Sequence, residues 1–352
     1  KNGGDIVLQN DIVLTDDITV KGQNISIDLN GNTITLKAYI DVFEGSLEFK
    51  GNGLIKDDRE DTNATIYVYG SADSKAVAFA TLTVGKDVKI ETKRYGITVW
   101  PCEVNKKAVP TYGTVVNFNG TLISTNKNAG AITINGNLQN NGKLENAPII
   151  NIGKTAVIKS SADTAMYAAG IGSWNIDGGE FEGNSVIGIK SGKLVINDGV
   201  FTAVGVPKAG ELYGNGIIST GSAIQIENND SYAGNMEIVI NGGTFNSNKG
   251  LSIYHYPPTD KQENALKSLV INGGIFNAKF KLLDNDNVTI EYGKFANEIV
   301  GYLKNGYIQS KTDGVYSVSN IIGSGAGLLI NGKVNTDYVK PGEEVTISTM
   351  GS

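Results

Sequence analysis

Five times along this chain a run of alternating apolar residues meets a tight turn ending in glycine, skips one residue and closes on phenylalanine. The copies are Trp174-Asn175-Ile176-Asp177-Gly178-Gly179-Glu180-Phe181, Leu194-Val195-Ile196-Asn197-Asp198-Gly199-Val200-Phe201, Val239-Ile240-Asn241-Gly242-Gly243-Thr244-Phe245, Val270-Ile271-Asn272-Gly273-Gly274-Ile275-Phe276 and Thr289-Ile290-Glu291-Tyr292-Gly293-Lys294-Phe295. Weaker copies surround Leu29-Asn30-Gly31, Val84-Gly85, Asn119-Gly120 and Ile152-Gly153. Phe181 to Phe201 spans 20 residues and Phe276 to Phe295 spans 19, while Phe245 to Phe276 spans 31, one unit plus an insertion. The 44 residues from Phe201 to Phe245 accommodate two units, the extra one at Ala223-Ile224-Gln225-Ile226.

A period near twenty built on period-two alternation excludes helical repeats and is about half the length of a propeller blade. The Leu-x-x-Leu-x-Leu ladder of leucine-rich repeats is absent. A coil of this length holds three short strands with turns between them, and strands of successive coils pair in parallel. Alternation then sends Leu194 and Ile196 inward and Val195 outward. The expected fold is an all-β, single-stranded parallel β-helix (a solenoid) over residues 1–320. Ile176, Ile196, Ile240, Ile271 and Ile290 form one buried ladder in this reading. Residues 56–159 match the repeat loosely and leave the coil count there open.

Composition agrees. Gly numbers 45 against 7 Pro, suiting repeated turns at positive φ, and a 40% hydrophobic content supplies a core. The net charge of −6, without blocks of like charge, argues against a nucleic-acid partner. The single cysteine, Cys102, excludes an internal disulfide and is expected to be small packing. No apolar run is long enough to insert in a membrane. The chain opens at Lys1-Asn2-Gly3-Gly4 without Met and reads as an excised or processed piece, with Gly351-Ser352 as a cloning remnant.

These coils resemble those of large surface proteins of Gram-positive gut bacteria and of related phage structural proteins. The likeness rests on Gly250-Leu251-Ser252-Ile253-Tyr254 followed by Leu269 to Phe276, and on Gly188-Ile189-Lys190 followed by Leu194 to Phe201. The opening Gly4-Asp5-Ile6-Val7-Leu8 is similar to that family's N-terminal cap, and Tyr302 to Val318 to its closing strand pair. The resemblance implies a right-handed helix, an extracellular location on the bacterial surface and a role as adhesin or stalk. The implied partner is a host or cell-surface glycan or protein, and the implied state is monomeric. A phage virion fibre or capsid-decorating protein, then a trimer, is the alternative; a polysaccharide lyase or glycoside hydrolase comes third. Beyond the helix, residues 321–352 read as a short C-terminal β appendage or the start of a following β module, with Val339-Lys340-Pro341-Gly342 similar to the first strand of a sandwich.

The enzyme reading lacks its residues. A glycosidase needs two facing carboxyls, but aligning the turns sets Asp177 over Asn197, and both Asp177 and Asp198 fall where Asx side chains cap backbone. The only histidine, His255, lies outside any Gly-His-Gly. The acidic groups Asp57-Asp58-Arg59-Glu60-Asp61 and Asp284-Asn285-Asp286-Asn287 lack calcium-loop spacing and read as solvated loops. No catalytic residue, metal ligand or cofactor is expected, and Trp174 is assigned to packing.

What remains is a set of insertions. Strands at 96–99, 130–134, 223–226 and 250–253 run into loops at 100–112, 135–147, 227–235 and 254–267, interrupting the same coil position and so sharing one edge. The loops carry Trp100, Tyr112, Tyr232, Tyr254, His255 and Tyr256, the expected binding residues, since aromatics on exposed loops suit glycan or protein contacts. The plainer alternative is decoration folded over the helix flank.

Overall fold

The computed structural model describes residues 3–320 apart from 106, 126–129, 136–143, 162, 208–219, 229–234, 257–265 and 285, together with 328–330, 333–334 and 347–349. The described residues are all-β except for a 3-10 turn at Val300–Tyr302. Their strands form long parallel sheets, compatible with a solenoid.

Each repeat contributes a strand to three parallel ladders, taken in fixed order. The first ladder includes Ile149–Ile152, Ser173–Ile176, Gly192–Ile196, Met236–Ile240, Leu266–Ile271 and Val288–Ile290. The second includes Val157–Ser160, Glu180–Gly183, Val200–Ala203, Thr244–Ser247, Ile275–Phe276 and Gly293–Phe295. The third runs from residues 18–20 and 40–42 through Ala64–Tyr69, Tyr95–Trp100, Ile132–Ile134, Met166–Ala168, Ile187–Ile189, Ile224–Glu227 and Ile253–Tyr256.

Period-two alternation decides what each ladder buries. Ile176, Ile196, Ile240, Ile271 and Ile290 are register partners in turn, and all are fully buried. Trp174 sits in the same sheet between Ile150 and Leu194, buried as core packing. On the second ladder Phe181, Phe201, Phe245, Phe276 and Phe295 stack with ring centroids 4.7–4.9 Å apart. Offset stacks of this kind add stability beyond their buried area. The turn between these ladders requires glycine: Gly293 has φ 139°, and a Cβ there would stand 2.8 Å from the Phe295 ring.

Asparagines tie the turns together outside. Asn197 Nδ2 donates to Asp177 Oδ1, Asn241 Nδ2 to Asn197 Oδ1 and Asn272 Nδ2 to Asn241 Oδ1, each at 2.8 Å. Asp177 is therefore the end of an amide ladder, stacked on Asn197 as the turn alignment predicts. Asp198 accepts the Gly199 N–H at 2.8 Å.

One expectation about the repeat is overturned. Phe201 and Phe245 are direct register partners, so the 44 residues between them form one repeat and not two. Ile224–Glu227 is that repeat's third-ladder strand, bonded to Ile187–Ile189 and Ile253–Tyr256. The surplus length lies in the segments flanking it.

The loosely matching stretch keeps the same order. Ala80–Val84 and Thr114–Phe118 belong to the first ladder, and Val88–Thr92 and Thr121–Ser124 to the second. At the C-terminal end, Val315–Asn320 pairs antiparallel with both Gly293–Phe295 and Tyr307–Thr312, closing the second ladder with a hairpin. Leu328–Ile330, Lys333–Val334 and Ile347–Thr349 form a separate three-stranded antiparallel sheet.

Candidate functional site

The third ladder carries the insertions, and its alternation sorts the aromatic residues. Val20, Val42, Val68, Val99, Ile134, Ala168, Ile189 and Ile226 occupy one inward position, and His255 is next in that register. His255 is accordingly fully buried, not an exposed loop residue. Its Nδ1 lies 2.8 and 2.9 Å from the carboxylate oxygens of Asp286, and its Nε2 lies 3.1 Å from Asn228 Oδ1. Asp286 also accepts the Leu283 N–H at 2.8 Å, so it is an internal tether within a segment whose Asp284 and Asn287 are exposed. The strand continues through 256, because Ile253 and His255 are two apart and both face the core.

Tyr254, between them, points outward and is half-buried beneath Lys281, whose Nζ stands 5.3 Å from the ring centroid. Tyr112 is buried, its backbone bridged in both directions to Ser71 at 2.9 Å. Tyr232 and the side chain of Tyr256 lie outside the described residues. Cys102 is half-buried in a hairpin of Cys102–Val104 against Lys107–Val109, and burial raises its thiol pKa.

The four insertions do leave from one ladder, but in two groups. Tyr95–Trp100 adjoins Ile132–Ile134, and Ile224–Glu227 adjoins Ile253–Tyr256. Met166–Ala168 and Ile187–Ile189 intervene, separating the groups by three ladder steps, roughly 14 Å at strand spacing. Across both groups and the strands between them, the outward side chains Thr98, Thr133, Tyr167 and Gln225 are buried rather than solvent-facing. Lys190 is buried there too, paired to Glu227 at 2.9 Å, and burial lowers its pKa.

Trp100 leads to residues that loop-based reasoning does not find. The inward valines 42, 68 and 99 stand in Asp41-Val42-Phe43, Tyr67-Val68-Tyr69 and Thr98-Val99-Trp100, so the flanking residues face outward on three adjacent strands. Tyr69 is the register partner of Trp100, and Asp41 that of Tyr67. Phe43 and Tyr69 stack at 4.2 Å with planes 12° apart, Tyr67 lies 5.9 Å from Tyr69, and Trp100 meets Tyr67 edge-on at 5.7 Å. Phe43 is exposed and the other three are half-buried, forming a partly exposed aromatic row. The recurring x-Val-aromatic triplet was the available signal.

An internal ion network backs this row. Arg94 is fully buried: its Nε donates to Asp61 Oδ1 at 2.7 Å, Nη2 contacts the other Asp61 oxygen, and Nη1 lies 3.6 Å from Asp57. The Arg94 guanidinium holds the Asp61 carboxyl below its usual range. Asp57, also fully buried, accepts two bonds from Arg59 at 2.8 Å and one from Thr65 at 3.2 Å. Arg59 and Arg94 lie against the ring of Tyr39, 4.9 and 5.0 Å from its centroid. The 57–61 segment is thus partly internal, because Asp57 ends a second-ladder strand at an inward position.

The network reaches the row through Asn63, which donates to the Tyr39 hydroxyl at 3.3 Å and accepts from the Tyr67 hydroxyl at 3.4 Å. The Ala64 N–H donates to that same Tyr67 oxygen at 2.9 Å. Asp41, beside Tyr67, has a pKa raised to about 6 by burial and by repulsion from Asp17. Burial first, then Asp41, Tyr67 and Glu103, raises the Tyr69 phenol.

Among the described residues no group of three or more His, Cys, Asp or Glu could hold a metal ion, and no helix is long and apolar enough to cross a membrane. Comparison with protein-family models, with curated proteins and with solved structures yields no match to this chain.

Proposed function

We propose that this chain is a non-catalytic, right-handed parallel β-helix of an extracellular bacterial surface protein, a monomeric stalk whose flank holds glycan. The observation that carries this reading is the row of Phe43, Tyr69, Tyr67 and Trp100 on three neighbouring strands. The exposed parts of these rings offer apolar surface to the C–H groups of a sugar, and rings fixed on strands lose little entropy when a ligand arrives. The Tyr67 hydroxyl, anchored through Asn63, adds to that rigidity. Three ladders visited in constant order favour a closed solenoid, and parallel strand connections are overwhelmingly right-handed. The family likeness of the coils supplies the surface location.

The test is binding to an immobilised glycan panel by the wild type and by Phe43→Ser and Trp100→Ala variants. Each substitution is expected to lower binding tenfold or more while leaving the β-rich circular dichroism spectrum intact. Full binding by both variants would place the adhesive face elsewhere or leave the chain as a spacer.

A further inference from the structure

Most of the charged groups acting on the aromatic row are carboxylates. Asp41 lies beside it at the position adjoining Tyr67, half-buried, and its carboxylate has no hydrogen bond or ion pair among the described residues. Burial, and then repulsion from Asp17, gives Asp41 its elevated pKa of about 6. Asp41 and Glu103 both act on Tyr69, raising its phenol. Arg94, the cation acting on Tyr67, is bound to Asp61 and lies near Asp57. The ring faces carry the negative side of their quadrupoles. A half-buried carboxylate without a partner costs free energy that a hydrogen-bonding cation would recover.

We infer that the row selects saccharides bearing a protonated amino group, the rings packing the sugar face while Asp41 pairs with the ammonium. This rests on the glycan reading above and narrows it to amino sugars. A neutral hydroxyl could bond to Asp41 but would leave its charge uncompensated. A uronate would be repelled by Asp17, Asp41 and Glu103 together. The row spans two ladder steps, roughly 10 Å, so an oligosaccharide rather than a single sugar fits its length.

Titration calorimetry at pH 6.5, where Asp41 is mostly ionised and a large share of the sugar amines is protonated, with a β-1,4-linked glucosamine hexamer and its fully N-acetylated counterpart separates the possibilities. The wild type is expected to bind the amine form at least tenfold more tightly. Asp41→Asn should remove that preference, and Phe43→Ser should weaken both ligands. Equal wild-type affinity for the two hexamers overturns the inference, as does an Asp41→Asn variant that keeps the preference. If Phe43→Ser weakens the acetylated hexamer while Asp41→Asn changes nothing, the glycan reading stands and the amine selection falls. A Lys-rich peptide binding as tightly as the amine hexamer, with the same Asp41 dependence, overturns the saccharide assignment. If no glycan in the earlier panel binds, the glycan reading itself has failed.

Discussion

The rings of Phe201 and Phe245, 44 residues apart in sequence, stack with centroids 4.8 Å apart and planes inclined by 8°. No local preference holds them together; the parallel register of two second-ladder strands does. Each ring is fully buried, and its neighbours are the next rings along the stack.

Phe245 is the centre of that stack, and truncating it leaves a cavity that rigid strands on either side cannot close. Phe245→Ala should cost about 3–5 kcal/mol. Because each repeat contacts mainly its neighbours, the loss falls on two interfaces. Guanidinium unfolding should then show an earlier transition for part of the chain; an unchanged single midpoint would contradict the stack's contribution.

Arg94 joins buried Asp57, at the end of a second-ladder strand, to Asp61 in the exposed segment that follows. Arg94→Met leaves Asp57 with Arg59 and half-exposed Asp61 without its main partner, and should cost about 1–2 kcal/mol, below the range for a fully buried pair because solvent screens Asp61. The matched Arg94→Met, Asp61→Asn double variant should recover part of that loss. Thermal melts of the single and double variants check both outcomes, and a double variant no more stable than the single one would speak against the pairing.

Asp41 makes stability fall as pH rises. Its folded pKa of about 6 exceeds the ordinary 3.8, so the folded chain holds that proton more tightly than the unfolded one. The contribution is full below about pH 4 and lost as pH climbs through 6. A two-unit shift corresponds to at most about 3 kcal/mol, and partial exposure screens it to roughly 1 kcal/mol. Asp41→Asn should therefore be about 1 kcal/mol more stable than the wild type at pH 8. Melts from pH 4 to 8 should show that difference shrinking towards acid.

The candidate site was legible only in part. Trp100 follows from the sequence, but as a loop residue, whereas it ends a strand. His255 was misplaced because the segment Tyr254-His255-Tyr256-Pro257-Pro258 looks like a turn, yet its first three residues continue the alternation begun at Ile253. Applying period two through residue 255 would have sent the imidazole inward. Phe43, Tyr67 and Tyr69 carry no comparable signal, because the repeat is weakest there and each aromatic is ordinary alone.

What the sequence determined by itself was the repeat: alternation chose the strands and their buried faces, glycine fixed the turns, and recurrence of the phrase set the Ile and Phe ladders. Those properties are local or strictly periodic, so one chain written out displays them. Only the tertiary structure decided that Phe201 pairs directly with Phe245, that Arg94 threads between Asp57, Asp61 and Tyr39, and that Asp41 stands beside an aromatic row without a partner among the described residues. Each of these depends on how much chain an insertion absorbs before the next strand returns to its ladder. Loop length costs little free energy and follows no period, so hydrogen-bonded register, not sequence spacing, determines which side chains meet.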